Sequence, residues 1–133
     1  MPLQTPAKIK SNILIIDDDK NILKILSKLL EKEGYAVTTT ETGQEALDKI
    51  KNQNYNVVLI DVKLQDVNGL NLLDQIHKIA PDMVKIILTG HPSDEDMTIA
   101  FERGANEYLT KPVRPEKLIE VIQINLKKEQ KSE

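Results

Sequence analysis

The sequence predicts an α/β domain in which a parallel sheet is covered by helices on both faces. Three observations carry the prediction. Short, unbroken aliphatic runs stand at Ile13-Leu14-Ile15-Ile16 and Val57-Val58-Leu59-Ile60, apolar enough for strands buried on both faces. Between such runs, apolar residues recur every three to four positions, the period of a helix with one face on a core. The two kinds of segment alternate along the chain, which calls for parallel strands joined by right-handed crossovers. A chain of 133 residues suits one such domain and buries roughly two-thirds of its unfolded surface.

Each element has its own signal. The first strand, Ile13–Ile16, runs into acidic residues. From Asp19, a fitting N-cap, Ile22, Ile25, Leu26, Leu29 and Leu30 form one helical face that Gly34 terminates. Tyr35, Val37 and Thr39 alternate as in a second strand, and Thr42 caps a helix carrying Ala46, Leu47 and Ile50. The third strand, Val57–Ile60, ends at Asp61, and a loop leads to Gly69. Leu70, Leu72, Leu73 and Ile76 give the third helix its inner face, with His77 on its surface, and Pro81 closes it. Val84–Leu88 is the fourth strand, followed by Thr89-Gly90. Ser93 caps a short helix bearing Met97, Ala100 and Phe101 that stops near Gly104. Residues 106–109 form a more polar edge strand, and Pro115 opens a last helix that runs to about residue 128. Residues 1–11 and 129–133 are expected to be tails flanking a domain at 12–128.

Composition narrows the function. The absence of cysteine excludes disulfides and thiolate metal sites and suits a reducing cytoplasm. Two histidines, His77 and His91, are too few for a histidine-rich zinc site. A net charge of -3 argues against direct nucleic-acid binding, which needs a positive face. No apolar run reaches the roughly 20 residues that span a bilayer, so no membrane role is expected. Neither a P-loop nor a dinucleotide-binding glycine motif is present.

In an open parallel sheet, ligands bind beyond the carboxyl ends of the strands. Asp17 and Asp18 follow the first strand, Asp61 the third, Thr89 ends the fourth, and Lys111-Pro112 follows the fifth. Three carboxylates on one edge raise one another's pKa unless a cation joins them. Oxygen ligands alone favour Mg²⁺, with Mn²⁺ as a substitute, and Mg²⁺ completes its shell with water and phosphate oxygens. A carboxylate nucleophile beside a hydroxyl and an ammonium is suited to forming an acyl phosphate.

The segments ILIIDDDK, VVLIDVKLQDVNGL, IILTG and EYLTKP, in this order and each at a strand end, resemble the receiver domain of two-component response regulators from about residue 12 to residue 126. The resemblance implies a flavodoxin-like sheet of order 2-1-3-4-5. It implies that Asp61 accepts a phosphoryl group from a sensor histidine kinase or phosphotransfer protein, and that the domain later hydrolyses its own acyl phosphate without being an enzyme on other substrates. Asp17 and Asp18 would form the Mg²⁺-holding acidic pair, the first through water, with the backbone carbonyl of Lys63 as a further ligand. Thr89 and Tyr108 would be the switch pair, and Lys111 would pair with a phosphoryl oxygen. Gly69 would fall at the turn after the third strand, and the bond before Pro112 is often cis in the family. Lys63 and His91 occupy the positions that tune phosphoryl lifetime. The output would be a population shift in the face of the fourth helix, fifth strand and fifth helix. That face would signal to a downstream protein, to an output domain or to a second copy in a homodimer.

Two rival functions compete. A receiver-like module that binds partners without phosphate is opposed by the complete acid set with Thr89 and Lys111. A phosphatase of the haloacid dehalogenase type would use the D-x-D spacing of Asp17 and Asp19, but Lys20-Asn21 does not continue that pattern. The last helix carries Leu118, Ile119, Val121, Ile122, Ile124 and Leu126, more apolar residues than one stripe needs, so part of it is either scattered surface or a partner face.

Overall fold

Both aliphatic runs become central strands. The structure, a computed structural model, describes residues 11–131. The described elements alternate as β1 (Asn12–Ile16), α1 (Lys20–Lys32), β2 (Ala36–Thr40), α2 (Gly43–Asn52), β3 (Val57–Ile60), α3 (Gly69–Ile79), β4 (Val84–Thr89), α4 (Asp94–Glu102), β5 (Glu107–Thr110) and α5 (Pro115–Lys131). The strands form one sheet of order β2-β1-β3-β4-β5, every pair parallel. Fold class and strand order are those the sequence implied.

Alternate residues of a strand point to opposite faces, so a sheet covered on both sides needs strands apolar throughout. Leu14, Ile16, Val58, Ile60 and Ile87 face a core shared with α2, α3 and α4, where Leu47, Leu72, Leu73, Ile76 and Ala100 meet them. Ile13, Ile15, Val57, Leu59 and Ile86 face the other core, closed by Leu23, Leu26 and Leu30 of α1 and by Leu118, Val121 and Ile122 of α5.

Several expectations change in detail. In α1 the buried face is Leu23, Leu26 and Leu30, while Ile25 is 65% exposed and Ile22 and Leu29 lie at the margin. At 100° per residue Ile25 lies about 130° around the helix from the centre of that face. The apolar stripe is wider than the groove, and the helix turns Leu23 inward instead. In β2, an edge strand, Val37 packs inward, but Thr39 is exposed and Thr40 is buried. Tyr35 is buried just before the strand begins.

Only Ala100 of α4 is buried, leaving Met97 and Phe101 exposed. β5 starts one residue later than expected, at Glu107. The helix α5 continues to Lys131, since its charged end is made of good helix formers with nothing to break it. The expected tail 129–133 is therefore helical over its first part, and residues 132–133 lie outside the described residues. So do residues 1–10 of the expected N-terminal tail, while the Ser11 carbonyl accepts from the Ala36 N–H at 3.2 Å.

The apolar excess of α5 is mostly core. Leu118, Val121 and Ile122 are buried, Ile119 and Leu126 pack against them, and Ile124 is exposed. His77 is not a plain surface residue. Its ring lies against Gly104, where any Cβ would overlap it and where φ is +101°, and its Nδ1 is buried. The strand β4 holds a further surprise. Lys85 is 1% exposed, and its Nζ donates to the carbonyls of Met83 (2.5 Å) and Pro81 (3.1 Å). Burial pushes its pKa down, while Glu129 and Asp82 pull it back up. Among the described residues, no helix is long and apolar enough to cross a membrane.

Candidate functional site

Parallel strands share one carboxyl-terminal edge, and register decides what stands on it. Ile16 pairs with Ile60, so Asp17 and Asp61 emerge side by side, and the Asp61 N–H donates to the Ile16 carbonyl at 3.1 Å. β2 lies on one side of β1 and β3 on the other, so the connections diverge here and leave a crevice. At the next strands Thr89 pairs with Thr110, and the Lys111 N–H donates to the Thr89 carbonyl at 2.8 Å. The following Lys111-Pro112 bond is cis, as the resemblance implied.

The acids converge. One carboxylate oxygen each from Asp17, Asp18 and Asp61 lie within 4.8 Å of one another. Asp17 is buried, Asp61 is 9% exposed and Asp18 is half-buried. The Lys111 Nζ donates to Asp17 Oδ2 at 2.6 Å and lies 3.6 Å from Asp61 Oδ1. The other Asp17 oxygen accepts from the Asp19 N–H at 2.9 Å. Both Asp17 oxygens are thus engaged by the protein.

Asp61 is the strained member of the cluster. Burial raises its pKa most, the Asp17 charge raises it further and Asp18 adds to that. The Lys111 ammonium and the Lys63 N–H pull it back only in part. Three carboxylates face one ammonium, so their joint ionisation leaves two negative charges uncompensated. A divalent cation matches that deficit, and an all-oxygen donor set selects a hard one, so the residues fit Mg²⁺.

The remaining expected residues surround this cluster without joining it. The Thr89 side chain is buried and its hydroxyl oxygen accepts from the His91 N–H at 3.0 Å. Tyr108 is half-buried against the core of α2, α3 and α4, and its hydroxyl oxygen accepts from the Ser93 N–H at 3.2 Å. Ser93 in turn caps α4, its Oγ accepting from the Asp96 N–H at 3.0 Å. Thr89 and Tyr108 therefore hold the two ends of one short loop, 89–93. The side chains of Lys63 and His91 are exposed. Lys63 bridges to Asn68, folding the loop after β3 back on itself.

Gly69 closes that loop. Its N–H donates to the Val62 carbonyl at 2.6 Å, and a Cβ there would overlap the Asp61 carbonyl. Asp19 is the α1 cap the sequence indicated: its carboxylate accepts from the Asn21 and Ile22 N–H groups. That commitment takes it away from the D-x-D role the phosphatase reading would require.

Sequence reasoning passed over Asp66. Its Oδ1 accepts from the Gly43 N–H (2.9 Å) and its Oδ2 from the Gln44 N–H (3.1 Å). The Gly43 N–H holds its carboxyl below the usual carboxylate range. No local pattern signals a cap supplied from more than 20 residues away.

Comparison with known proteins agrees with this arrangement. The family model described as the response regulator receiver domain matches residues 13–123. The transcriptional regulatory protein GlrR of Escherichia coli (strain K12) is 37% identical over 112 residues, covering 84% of this chain and 25% of GlrR. Response regulator SaeR of Staphylococcus epidermidis is 33% identical over 109 residues, covering 82% of this chain and 47% of SaeR. The chain thus spans a quarter to about half the length of the curated relatives it matches. Among solved structures, a CheY-like response regulator receiver domain protein from Methanospirillum hungatei JF-1 superposes with a TM-score of 0.91 at 41% identity, covering 92% of this chain and 98% of that one. The BeF3-activated DrrB receiver domain gives 0.81 at 36% identity, covering 88% and 97%.

Proposed function

Because the chain belongs to the response regulator receiver family of two-component systems, we propose that Asp61 takes a phosphoryl group from the phosphohistidine of a sensor kinase or phosphotransfer protein in the cytoplasm. The observation that carries this reading is the convergence of Asp17, Asp18, Asp61 and Lys111 on one sheet edge. An Asp61 carboxylate oxygen attacks phosphorus, the P–N bond of the donor breaks, and its imidazole departs with the electron pair. Water later attacks the same phosphorus, releasing inorganic phosphate and restoring the carboxylate. The phosphoryl group is taken up and released at the domain's own Asp61, and what the cycle delivers is the conformational state between the two steps, so the domain acts as a switch and not as an enzyme on other substrates.

Asp18, Asp61 and the Lys63 carbonyl would hold Mg²⁺. Asp17, whose oxygens already accept from Lys111 and Asp19, suits an outer role. Bound Mg²⁺ supplies charge neutralisation for the incoming phosphoryl oxygens. Lys111 carries a second positive charge to the same place, and moving it from Asp17 to a phosphoryl oxygen needs only a side-chain shift. The Thr89 hydroxyl is free to donate, since its oxygen is already oriented by the His91 N–H. Its approach to the phosphoryl group would alter the loop 89–93, to which the Tyr108 hydroxyl is also tied. The face of α4, β5 and α5, with Met97 and Phe101 exposed, would pass the change to a downstream protein, an output domain or a second copy.

Intact mass after incubation with acetyl phosphate and Mg²⁺ tests the reading. A labile, Mg²⁺-dependent gain of one phosphoryl group, absent in Asp61→Asn, is expected. No gain in the parent, together with an amide spectrum unmoved by beryllofluoride, would overturn it. Lys63 and His91 flank the pocket with side chains that can be cationic, and we assign them to hindering the attacking water. Lys63→Ala and His91→Ala should change the dephosphorylation rate, and unchanged rates in both would remove that assignment.

A further inference from the structure

We propose that Asp66 is a positioning residue for the phosphoacceptor site: by clamping the loop after β3 onto the amino end of α2, it holds the Lys63 backbone where Asp61 and the metal need it. The inference rests on the receiver reading and adds a residue to it.

Residues 62–69 form a small lobe. Its base is closed by the Gly69 N–H on the Val62 carbonyl and by the Lys63–Asn68 bridge. Lys63 stands on the near side of this lobe, its N–H directed at the Asp61 carboxylate. The side chain of Lys63 is exposed, so its backbone is held by the loop's own bonds and not by side-chain packing. Towards the tip, Leu64 and Val67 are partly buried against the core of α2, α3 and α4, and Asp66 between them adds a polar anchor. Asp66 supplies that anchor with both oxygens, accepting from Gly43 at 2.9 Å and from Gln44 at 3.1 Å. Val67 reinforces it, because its Cγ1 occupies the space a Cβ on Gly43 would need. The lobe is therefore pinned at base and tip, and Lys63 belongs to the base.

Capping of α2 alone does not account for this clamp. The helix has its own N-cap, Thr42, whose Oγ1 accepts from the Glu45 N–H at 3.2 Å, and the Ala46 N–H donates to the Thr42 carbonyl. Glu45 reaches back to the Thr42 hydroxyl (3.2 Å) and the Glu41 N–H (3.4 Å), a relative of the capping box in which the return bond goes to the residue before the cap. Asp66 takes the Gly43 and Gln44 N–H groups, which neither Thr42 nor Glu45 engages. A helix this well started still receives a bidentate carboxylate from the loop that carries the acceptor. Groups that orient a metal ligand without touching the metal are typically worth about 10–100-fold in affinity.

The test compares Asp66→Ala, Asp66→Asn and Thr42→Ala by calorimetric Mg²⁺ titration and thermal melting. Asp66→Ala is expected to weaken Mg²⁺ binding by about 10-fold, the low end of that range. Asp66→Asn should recover part of the loss, since its one carbonyl oxygen can accept from Gly43 but its amide cannot accept from Gln44. Thr42→Ala should lower the melting temperature and leave Mg²⁺ affinity at the parental value. Equal Mg²⁺ affinity in Asp66→Ala and parent would overturn the proposal while leaving the receiver reading intact. So would an equal loss in Thr42→Ala, which would reduce the effect to helix capping. A parent that binds no Mg²⁺ would remove the receiver chemistry and this inference together.

Discussion

Asp61 is held where its negative charge is costly. Its folded pKa is raised, so the protonated form is favoured below the ordinary carboxylate value, and that stability is lost as pH rises through the folded pKa. At neutral pH without metal the ionised carboxylate is therefore a net cost. Asp61→Asn should melt a few degrees higher than the parent at pH 7 in chelator. The gap should close as the pH falls into the range where Asp61 is protonated, and added Mg²⁺ should raise the parent alone. A variant melting at or below the parent in chelator would contradict the raised pKa. Lys85 is likewise a buried group whose charge burial disfavours, but it differs from Asp61 in having two carbonyls that depend on it. Lys85→Ala should cost about 2–4 kcal/mol in denaturant unfolding, from the cavity left behind and the two carbonyls deprived of their donor. The contrast also shows what single residues disclose in a sequence. Asp17, Asp18, Asp61 and Lys111 were legible because each follows a strand and their types share one chemistry. Asp66, Lys85 and His77 were not, because each acquires its role from a partner contributed by another element. Nothing in the local string distinguishes a lysine capping buried carbonyls from one in water.

At the scale of elements, the strands were easier to place than the orientation of the helices. Continuous Val, Ile and Leu can serve both faces of a covered sheet, so β1 and β3 needed no further information. A helix can rotate about its axis, and α1 buries Leu23 in preference to Ile25 because the groove between the sheet and α5 chooses among apolar residues. The weakest anchoring belongs to α4, with Ala100 as its buried residue and a cap, Ser93, whose N–H is tied to Tyr108. Tyr108→Phe removes that acceptor. Amide hydrogen exchange in the first turn of α4 should become several-fold faster, with exchange in α3 unchanged. The start of α3 is constrained by contrast. At Gly69→Ala the added methyl meets the backbone of Asp61 and Val62, which no rotamer change can relieve. That substitution should displace the acceptor loop and reduce phosphorylation by acetyl phosphate at least as much as it reduces stability. Normal phosphorylation would show that the loop can yield.

For the molecule as a whole, the sheet divides the interior into two cores, and both are needed to hold the strand ends in register. Leu73→Ala, in the core of α2, α3 and α4, should cost about 2–5 kcal/mol, measured by denaturant unfolding. The site itself spans this whole architecture. Asp17 and Lys111 are separated by 94 residues, and the strand preceding Lys111 is the last to join the sheet in chain order. No amino-terminal fragment that ends before residue 111 holds both partners of that ion pair. A polypeptide still being made at the ribosome carries Asp17, Asp18 and Asp61 early, but it lacks the countercharge until β5 has emerged and found β4. On the proposed function, competence to accept a phosphoryl group thus arrives late in synthesis, and a product terminated before Lys111 would carry the acids without their countercharge.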